Sequence, residues 1–428
     1  MITAEENELL TRIGPGTRMG NLLRRYWQPV AGLSEMTERW TMRVRMLGED
    51  LVLFKSRAGG FGLIAEQCPH RAVSLLYGIP TEEGIRCPYH GWMMDGEGRC
   101  LDQPNEARNA LKGTIVTTAY PVQEMGGLLF AYMGPSPAPL LPRFDGFVEP
   151  RAIRHIGKAI IDCNWLQIME NSVDPVHTEW LHGKLYEFLN EKDGAKVAIS
   201  RHHAKIAFDE FEFGIIKRRL LEGQSEDADD WKTGHPLVFP NTLAGGSGGG
   251  AWTQKIFQVR VPVDDTHTRH FWYHAYVPPK DTPLPAHLLD KVPVYEPPVK
   301  DEKGEYLLNY IHAQDIMAWV SQGPIADRTR EKLSASDMGL VMYRRMLKRE
   351  VEKVERGEDP IGTLREASHN RVIDLPRERG KDMYSDGFVS HIRRQMSIFS
   401  PIAEDLIEVF TKDRGQREAA RESVPAAE

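Results

Sequence analysis

Long apolar runs are missing from this chain of 428 residues, and none approaches the ~18 consecutive apolar residues that a membrane-spanning helix needs. An excess of positive charge is missing too. With 54 Lys and Arg against 61 Asp and Glu, the net charge of -7 leaves no basic stripe to neutralise phosphates, so nucleic acid is not an expected partner. The first ten residues carry no positive segment ahead of an apolar stretch, which predicts a cytoplasmic protein. Cysteine is scarce. Cys68, Cys87, Cys100 and Cys163 are too few to staple a chain of this size, and a reducing compartment would not keep disulfides. The roles left for them are metal ligand, nucleophile or small buried hydrophobe. A nucleotide cradle is also lacking: the glycine-rich run from Gly245 to Gly250 contains no Lys-Ser/Thr and has no βαβ frame, and reads as a loop near a pocket.

What is present divides by composition. With 41% hydrophobic and 27% charged residues, the chain suits two or three globular domains. Residues 1–40 form an N-terminal helical segment, with Leu9, Leu10 and Ile13, then Met19, Leu22, Leu23 and Tyr26 at spacings of three and four around a Gly14-Pro15-Gly16 break. Residues 41–150 hold short segments rich in Val, Leu, Ile and Tyr, broken by Gly, Pro and Asp, which predicts a small all-β domain. Residues 151–428 mix one strong helical segment with β-type segments such as 205–221 and 252–261, an α+β pattern. The proline-rich run from Val277 to Lys300 can be neither helix nor central strand. Helices follow from about Asn309, with Leu340, Tyr343, Leu347, Val351 and Val354 forming an apolar stripe behind Ser336 and Asp337.

The strongest motif is Cys68-Pro69-His70, followed by Cys87-Pro88-Tyr89-His90-Gly91-Trp92. Each limb pairs one thiolate with one imidazole, with Pro or Gly in or beside it, which suits two tight loops aimed at one centre. Two Cys and two His are the Rieske ligand set, in which histidines replace two cysteines on one iron and raise the reduction potential. A structural zinc site uses the same residue types, but zinc motifs usually keep the two cysteines on one limb and the two histidines on the other.

A second constellation spans Asn164 to His182. At about 100° per residue, Asn164, Gln167, Asn171 and Asp174 share one polar arc of a helix, which on an isolated helix would face solvent. The histidines argue otherwise. His177 and His182 are five apart and would diverge by roughly 140° on a regular helix, so only a broken or distorted one brings both imidazoles to one metal. A carboxylate from elsewhere would complete the 2-His-1-carboxylate triad of oxygen-activating non-haem iron.

In order and separation, these two motifs resemble those of the Rieske ring-hydroxylating and O-demethylating oxygenases. The resemblance runs from Met19-Gly20 through Tyr26-Trp27, across both motifs, to Gln314-Asp315, Ser321-Gln322-Gly323 and Asp327-Arg328-Thr329. It implies an α+β chain: an all-β Rieske [2Fe–2S] domain (41–150), then a mononuclear-iron catalytic domain (151–428) whose antiparallel sheet and helices are helix-grip-like, with a helical C-terminal extension. It makes Cys68, His70, Cys87 and His90 the cluster ligands, and His177 and His182 ligands of a mononuclear Fe(II). Asp315 becomes the third ligand, ahead of its neighbours Asp327 and Asp337. Asp174 resembles the family's bridging carboxylate, which joins a cluster histidine of one subunit to an iron-ligating histidine of the next. A head-to-tail homotrimer follows from that role. An NAD(P)H-dependent reductase, with or without a ferredoxin, would supply electrons, and dioxygen and a small aromatic acid would be the substrates. Chain length, the C-terminal helices and the Asn171-x-x-Asp174 spacing look most like the phthalate dioxygenase and dehydrodivanillate O-demethylase group. O-demethylation or hydroxylation of a carboxylated, methoxylated aromatic is therefore expected, with phthalate-type cis-dihydroxylation as the alternative and a Rieske electron-transfer protein or a zinc-stabilised binding protein as the non-enzymatic ones.

Arg201, Lys205, Lys217, Arg218 and Arg219 are candidates to meet a carboxylate. Alternation along Phe211, Phe213, Ile215, Lys217 and Arg219 puts two of these charges at the end of an apolar strand face, at a pocket mouth. His270, Trp272 and His274 alternate on a second strand that could line the same sheet, but read as ordinary core or surface strand residues.

Overall fold

The computed structural model describes residues 2–106, 113–192, 199–248, 250–378 and 387–422. The first helices, Ala4–Thr11 and Arg18–Leu23, stop short of Trp27. Pro29 cannot continue a helix, and Trp27–Gly32 is a strand that pairs antiparallel with Leu128–Tyr132. The α-helices of the N-terminal segment therefore end at Leu23, and a single 3-10 turn, Leu33–Met36, follows the strand.

Beyond those helices the N-terminal part is built of β-strands, as expected. Thr41–Met46, Glu49–Lys55, Phe61–Ala65 and Ala119–Tyr120 form one four-stranded sheet, and Ile79–Pro80, Gly84–Arg86, Met93–Asp95 and Cys100–Asp102 form a second. The Cys68 loop leaves the end of Phe61–Ala65, and the Cys87 loop joins Gly84–Arg86 to Met93–Asp95.

The α+β part is built on eight strands in the spatial order His203–Phe211, Gly214–Leu221, His235–Val238, Thr242–Ser247, Thr253–Pro262, Thr268–Val277, Ile153–Ile161, Val294–Tyr295. All pairs are antiparallel except the last, so the sheet is mixed. Prolines on both sides limit Val294–Tyr295 to two residues at the sheet edge, where a missing N–H costs least. Gly245 and Gly246 lie in a strand rather than a loop. A Cβ on Gly246 (φ +127) would stand 1.9 Å from the Gln254 carbonyl oxygen, so glycine alone lets the two strands approach there. Gly249 lies outside the described residues.

The two faces of this sheet have different neighbours. Phe257 and Tyr273 face the N-terminal side, where Phe147 stacks on Phe257 at 4.5 Å and meets Tyr273 edge-on at 4.8 Å. The opposite face carries His270, Trp272, His274 and Tyr276, one strand position in two. It packs on the helices Ile311–Val320 and Gly387–Arg394, with Trp272 against His312 and Tyr276 against Phe388. The Met338–Glu355 helix buries Tyr343, Leu347 and Val351 of its predicted stripe, together with Met346. Among the described residues no helix is long and apolar enough to cross a membrane.

Candidate metal centres and cavity

The two cysteine loops are twins. In each, the Cys N–H donates to the carbonyl five residues on (Cys68 to Val73, 2.9 Å; Cys87 to Trp92, 2.8 Å). The N–H four residues on returns the bond to the Cys carbonyl (Ala72, 2.9 Å; Gly91, 3.0 Å). The returning residue is left-handed both times, Ala72 at φ +57 and Gly91 at φ +76. This closed loop turns Cys68 and Cys87 inward, each 3% exposed, while His70 and His90 meet edge to face at 4.7 Å. Trp92 stacks flat on His70 at 4.5 Å. Burial pushes the Cys68 thiol up to about 11, so a metal must displace its proton.

Among the described residues His90 Nδ1 is buried without a hydrogen-bond partner, the position of a nitrogen that ligates. Four ligands on one tetrahedral zinc, with bonds of about 2.0–2.3 Å, would all lie within about 4 Å of one another. Among the described residues, however, His177, His182 and Asp315 are the one group of three or more possible ligands whose atoms lie within 4.8 Å of one another. The spread of the cysteine and histidine pairs suits a two-iron cluster with thiolates on one iron and imidazoles on the other.

The His177, His182 and Asp315 group forms because the helix distorts. Trp180–Lys184 is a π-helical turn, whose wider winding brings residues five apart to one side. The two rings stand 5.2 Å apart, with Asp315 Oδ1 3.1 Å from His182 Nε2 and 3.9 Å from His177 Nε2. Asp315 Oδ1 is buried and has no hydrogen-bond donor, so three ligand atoms converge on a point that suits a cation. Asp327 instead caps its own turn through Thr329, and Asp337 bonds Ser334. Burial raises the Asp315 carboxyl, but the imidazoles of His182 and His177 outweigh it and hold the group below the usual range. Burial lowers His177 to about 3, leaving the neutral ring that a metal takes.

The orienting partners differ from those expected. The Asp174 backbone carbonyl, not its carboxylate, accepts from His177 Nδ1 at 2.7 Å, and the nearer carboxylate oxygen is 3.7 Å away. The other carboxylate oxygen is spent on the Val176 N–H at 2.7 Å, which caps the turn that follows. Gln314 Oε1 accepts from His182 Nδ1 at 2.8 Å, while its amide donates to Leu308 O. The polar arc of the Trp165–Val173 helix is a clamp rather than a solvated face. Asn164 bonds Thr11 O and Asp265 O, and Gln167 bonds Trp319 O and Gly323 O at 2.8 Å each, tying down the end of the Asp315 helix. Glu170 holds Arg328 and Arg344 in a buried ion-pair cluster. Gln314 was legible only as the neighbour of Asp315, and Gln167 only as a member of the polar arc, since no spacing rule marks a residue that acts through another.

A cavity of about 230 Å³ opens beside the three ligands. Asn171, Lys217 and Arg219 line it, as does Arg260, which sequence reasoning missed among β-strand residues. Lys217 donates to Ser172 O at 2.7 Å, and burial with the nearby Arg219 lowers its ammonium to about 8. Arg260 is 1% exposed; among the described residues its guanidinium bonds the backbone and side chain of Gln258 and leaves its buried Nε unpaired. Arg218 points away to Asp209, Lys205 pairs with Glu226, and Arg201 is exposed.

Residues 26–121 match the Rieske [2Fe-2S] domain, and residues 302–374 match the LigXa C-terminal domain like family. The chain is 41% identical to the 5,5'-dehydrodivanillate O-demethylase oxygenase subunit of Sphingobium sp., over 88% of this chain and 87% of that one. It is 33% identical to the phthalate 4,5-dioxygenase oxygenase subunit of Pseudomonas putida, over 90% and 94%. In fold it is similar to the terminal oxygenase of carbazole 1,9a-dioxygenase from Novosphingobium sp. KA1, with a TM-score of 0.56 at 22% identity, covering 80% of this chain and 97% of that one. Twin loops for a two-iron cluster, joined in one chain to relatives of this identity and length, mean that the chain belongs to the Rieske oxygenase family, as an oxygenase component.

Proposed function

We propose that this oxygenase O-demethylates or hydroxylates a carboxylated aromatic compound, of the methoxylated, lignin-derived kind, with electrons from a separate NAD(P)H-dependent reductase. The observation that carries the reading is one cavity in which Lys217 and Arg260, neither bonded to an acid among the described residues, share walls with His177, His182 and Asp315. Charge-assisted bonds from such donors suit a carboxylate and would turn the far end of the ring toward the three ligands. Those ligands would hold Fe(II), which supplies dioxygen activation when bound. The balance is one methoxy-aromatic, one dioxygen, two electrons and two protons in, and one phenol, one formaldehyde and one water out.

Asp174 is read as the bridge between a cluster histidine of one subunit and His177 of the next, in a head-to-tail homotrimer. Its side chain is 28% exposed, open enough to be reached, and its backbone already holds the His177 ring. Asn171 lines the cavity beside it. The division at residues 40 and 150, a ferredoxin between reductase and cluster, and a cytoplasmic location belong to the same reading. The cation-lined cavity suits a phthalate equally well, which makes ring cis-dihydroxylation the second reading. Dioxygen uptake with a generic reductase and a panel of vanillate-type acids, biaryls and phthalates separates them. Formaldehyde release identifies demethylation, a cis-diol identifies dihydroxylation, and dioxygen uptake with none of these acids overturns both.

A further inference from the structure

One imidazole of the cavity wall has no part in the ligand set. His312 lines the cavity with the three ligands and stands one turn before Asp315 on the Ile311–Val320 helix, so the two side chains share one side of it. It is not a fourth ligand. Among the described residues, His177, His182 and Asp315 are the group whose atoms lie close enough to hold one ion, and His312 is outside it.

Two contacts fix its ring. The Met396 N–H donates to His312 Nδ1 at 3.4 Å, and Trp272 meets the ring edge to face at 5.5 Å. A nitrogen that accepts from a backbone N–H carries no proton of its own, so the proton of this imidazole sits on Nε2. That makes His312 a donor. Among the described residues Nε2 has no hydrogen-bond partner, and unlike both nitrogens of His270 and Nε2 of His274 it is not sealed off from open space. The space it borders is the cavity. His235, another imidazole of the wall, lies 3.1 Å from Glu378 and so already has an acid beside it.

We propose that His312 Nε2 donates a hydrogen bond to an ether oxygen on the substrate's ring, and so makes His312 the residue that selects aryl methyl ethers. The inference rests on the functional reading above, in which Lys217 and Arg260 hold a carboxylate in the same cavity. Those two donors stand on the sheet, whereas His312 stands on the helix that carries Asp315. A ring held at both points keeps its methyl group beside the three ligands. An acid with carbon in place of the ether oxygen fills the same space but leaves the Nε2–H without an acceptor. A site built to hydrogen-bond a substrate atom rejects the analogue that lacks it, because the buried partner is then left unpaired.

The test measures binding by calorimetry to the full chain loaded with cluster and iron, without reductant, so that nothing turns over. Meta-methoxybenzoate and meta-ethylbenzoate differ only by an ether oxygen against a methylene. The parent should bind the methoxy acid about tenfold more tightly, although the ethyl acid is the more apolar. His312→Asn keeps an acceptor for the Met396 N–H but stops short of the Nε2 position, whereas His312→Gln places an amide N–H near it. The preference should shrink to about twofold or less in the first and persist in the second, with iron content, cluster absorption and affinity for the ethyl acid as in the parent. Equal affinities in the parent, or a full preference that survives His312→Asn, would overturn the assignment. The parent comparison needs no variant, so it still decides should His312→Asn misfold. Anisole and ethylbenzene repeat the comparison without the carboxylate. A parent that binds neither acid but prefers anisole ends the carboxylate reading and keeps His312; one that binds both acids equally keeps the carboxylate reading and ends the role of His312.

Discussion

The two metal-binding constellations are held by opposite means. The candidate cluster ligands come from residues 68 to 90, on two loops with the same hydrogen-bond pattern, and each loop closes on itself. The second site takes His177 and His182 from a π-helical turn and Asp315 from a separate helix, and needs Gln167 and Gln314 to hold the two together. Local closure makes the first site robust to changes elsewhere, whereas the second depends on the packing of distant elements. Damage to either should therefore leave the other standing.

The largest effect should come from His177→Ala or Asp315→Ala. Loss of a ligand should remove iron from the second site and cut product formation by about 10³-fold or more, while visible cluster absorption stays. Bleached absorption in these variants would break the independence of the two sites. Asp174→Asn should keep both metals and slow turnover by about 10–100-fold. Near-normal turnover would remove the bridge, and lost iron would assign Asp174 to the metal site alone. Gln314→Leu should weaken iron binding by about tenfold by freeing the His182 ring, as judged by chelator competition.

Lys217→Met should raise KM for an aromatic acid by about tenfold and leave its methyl ester unaffected, through loss of one charge-assisted bond. Because the Lys217 ammonium is lowered to about 8, affinity for the acid should hold below pH 8 and fall as pH rises through it, with no matching change for the ester. The smallest effect belongs to the twin loops. Ala72→Gly should stabilise the chain by up to about 1 kcal/mol, since Ala72 sits at positive φ. Gly91→Ala should destabilise it, with the same conformation and a Cβ 2.7 Å from Pro104 Cγ. Thermal melts of the two variants measure both.

Much of this was legible because some chemistry is written in adjacent residues. Cys-Pro-His and Cys-Pro-Tyr-His-Gly-Trp specify tight loops and a mixed ligand set within a few residues, so both loops and the cluster followed from the order of residues alone. The alternation that carried Lys217 and Arg219 to one strand face also survived, since side-chain direction in a strand follows period two. Asp174 shows the limit. Its nearness to His177 was readable, but whether carboxylate or carbonyl reaches the ring depends on how the chain leaves the helix. Arg260, Gln167 and Gln314 sit in segments that read as ordinary strand and helix. Their roles arise from contacts with residues far along the chain, which no local period encodes.

The sequence by itself determined the all-β and α+β halves, the twin loops and the identity of the ligand candidates, because turn chemistry and side-chain period act within a few residues. Only the tertiary structure decided that a π-helical turn aims both histidines at Asp315 and that the polar arc is a buried clamp. Those depend on which surfaces come together when apolar groups leave water, and that is settled by the whole chain at once.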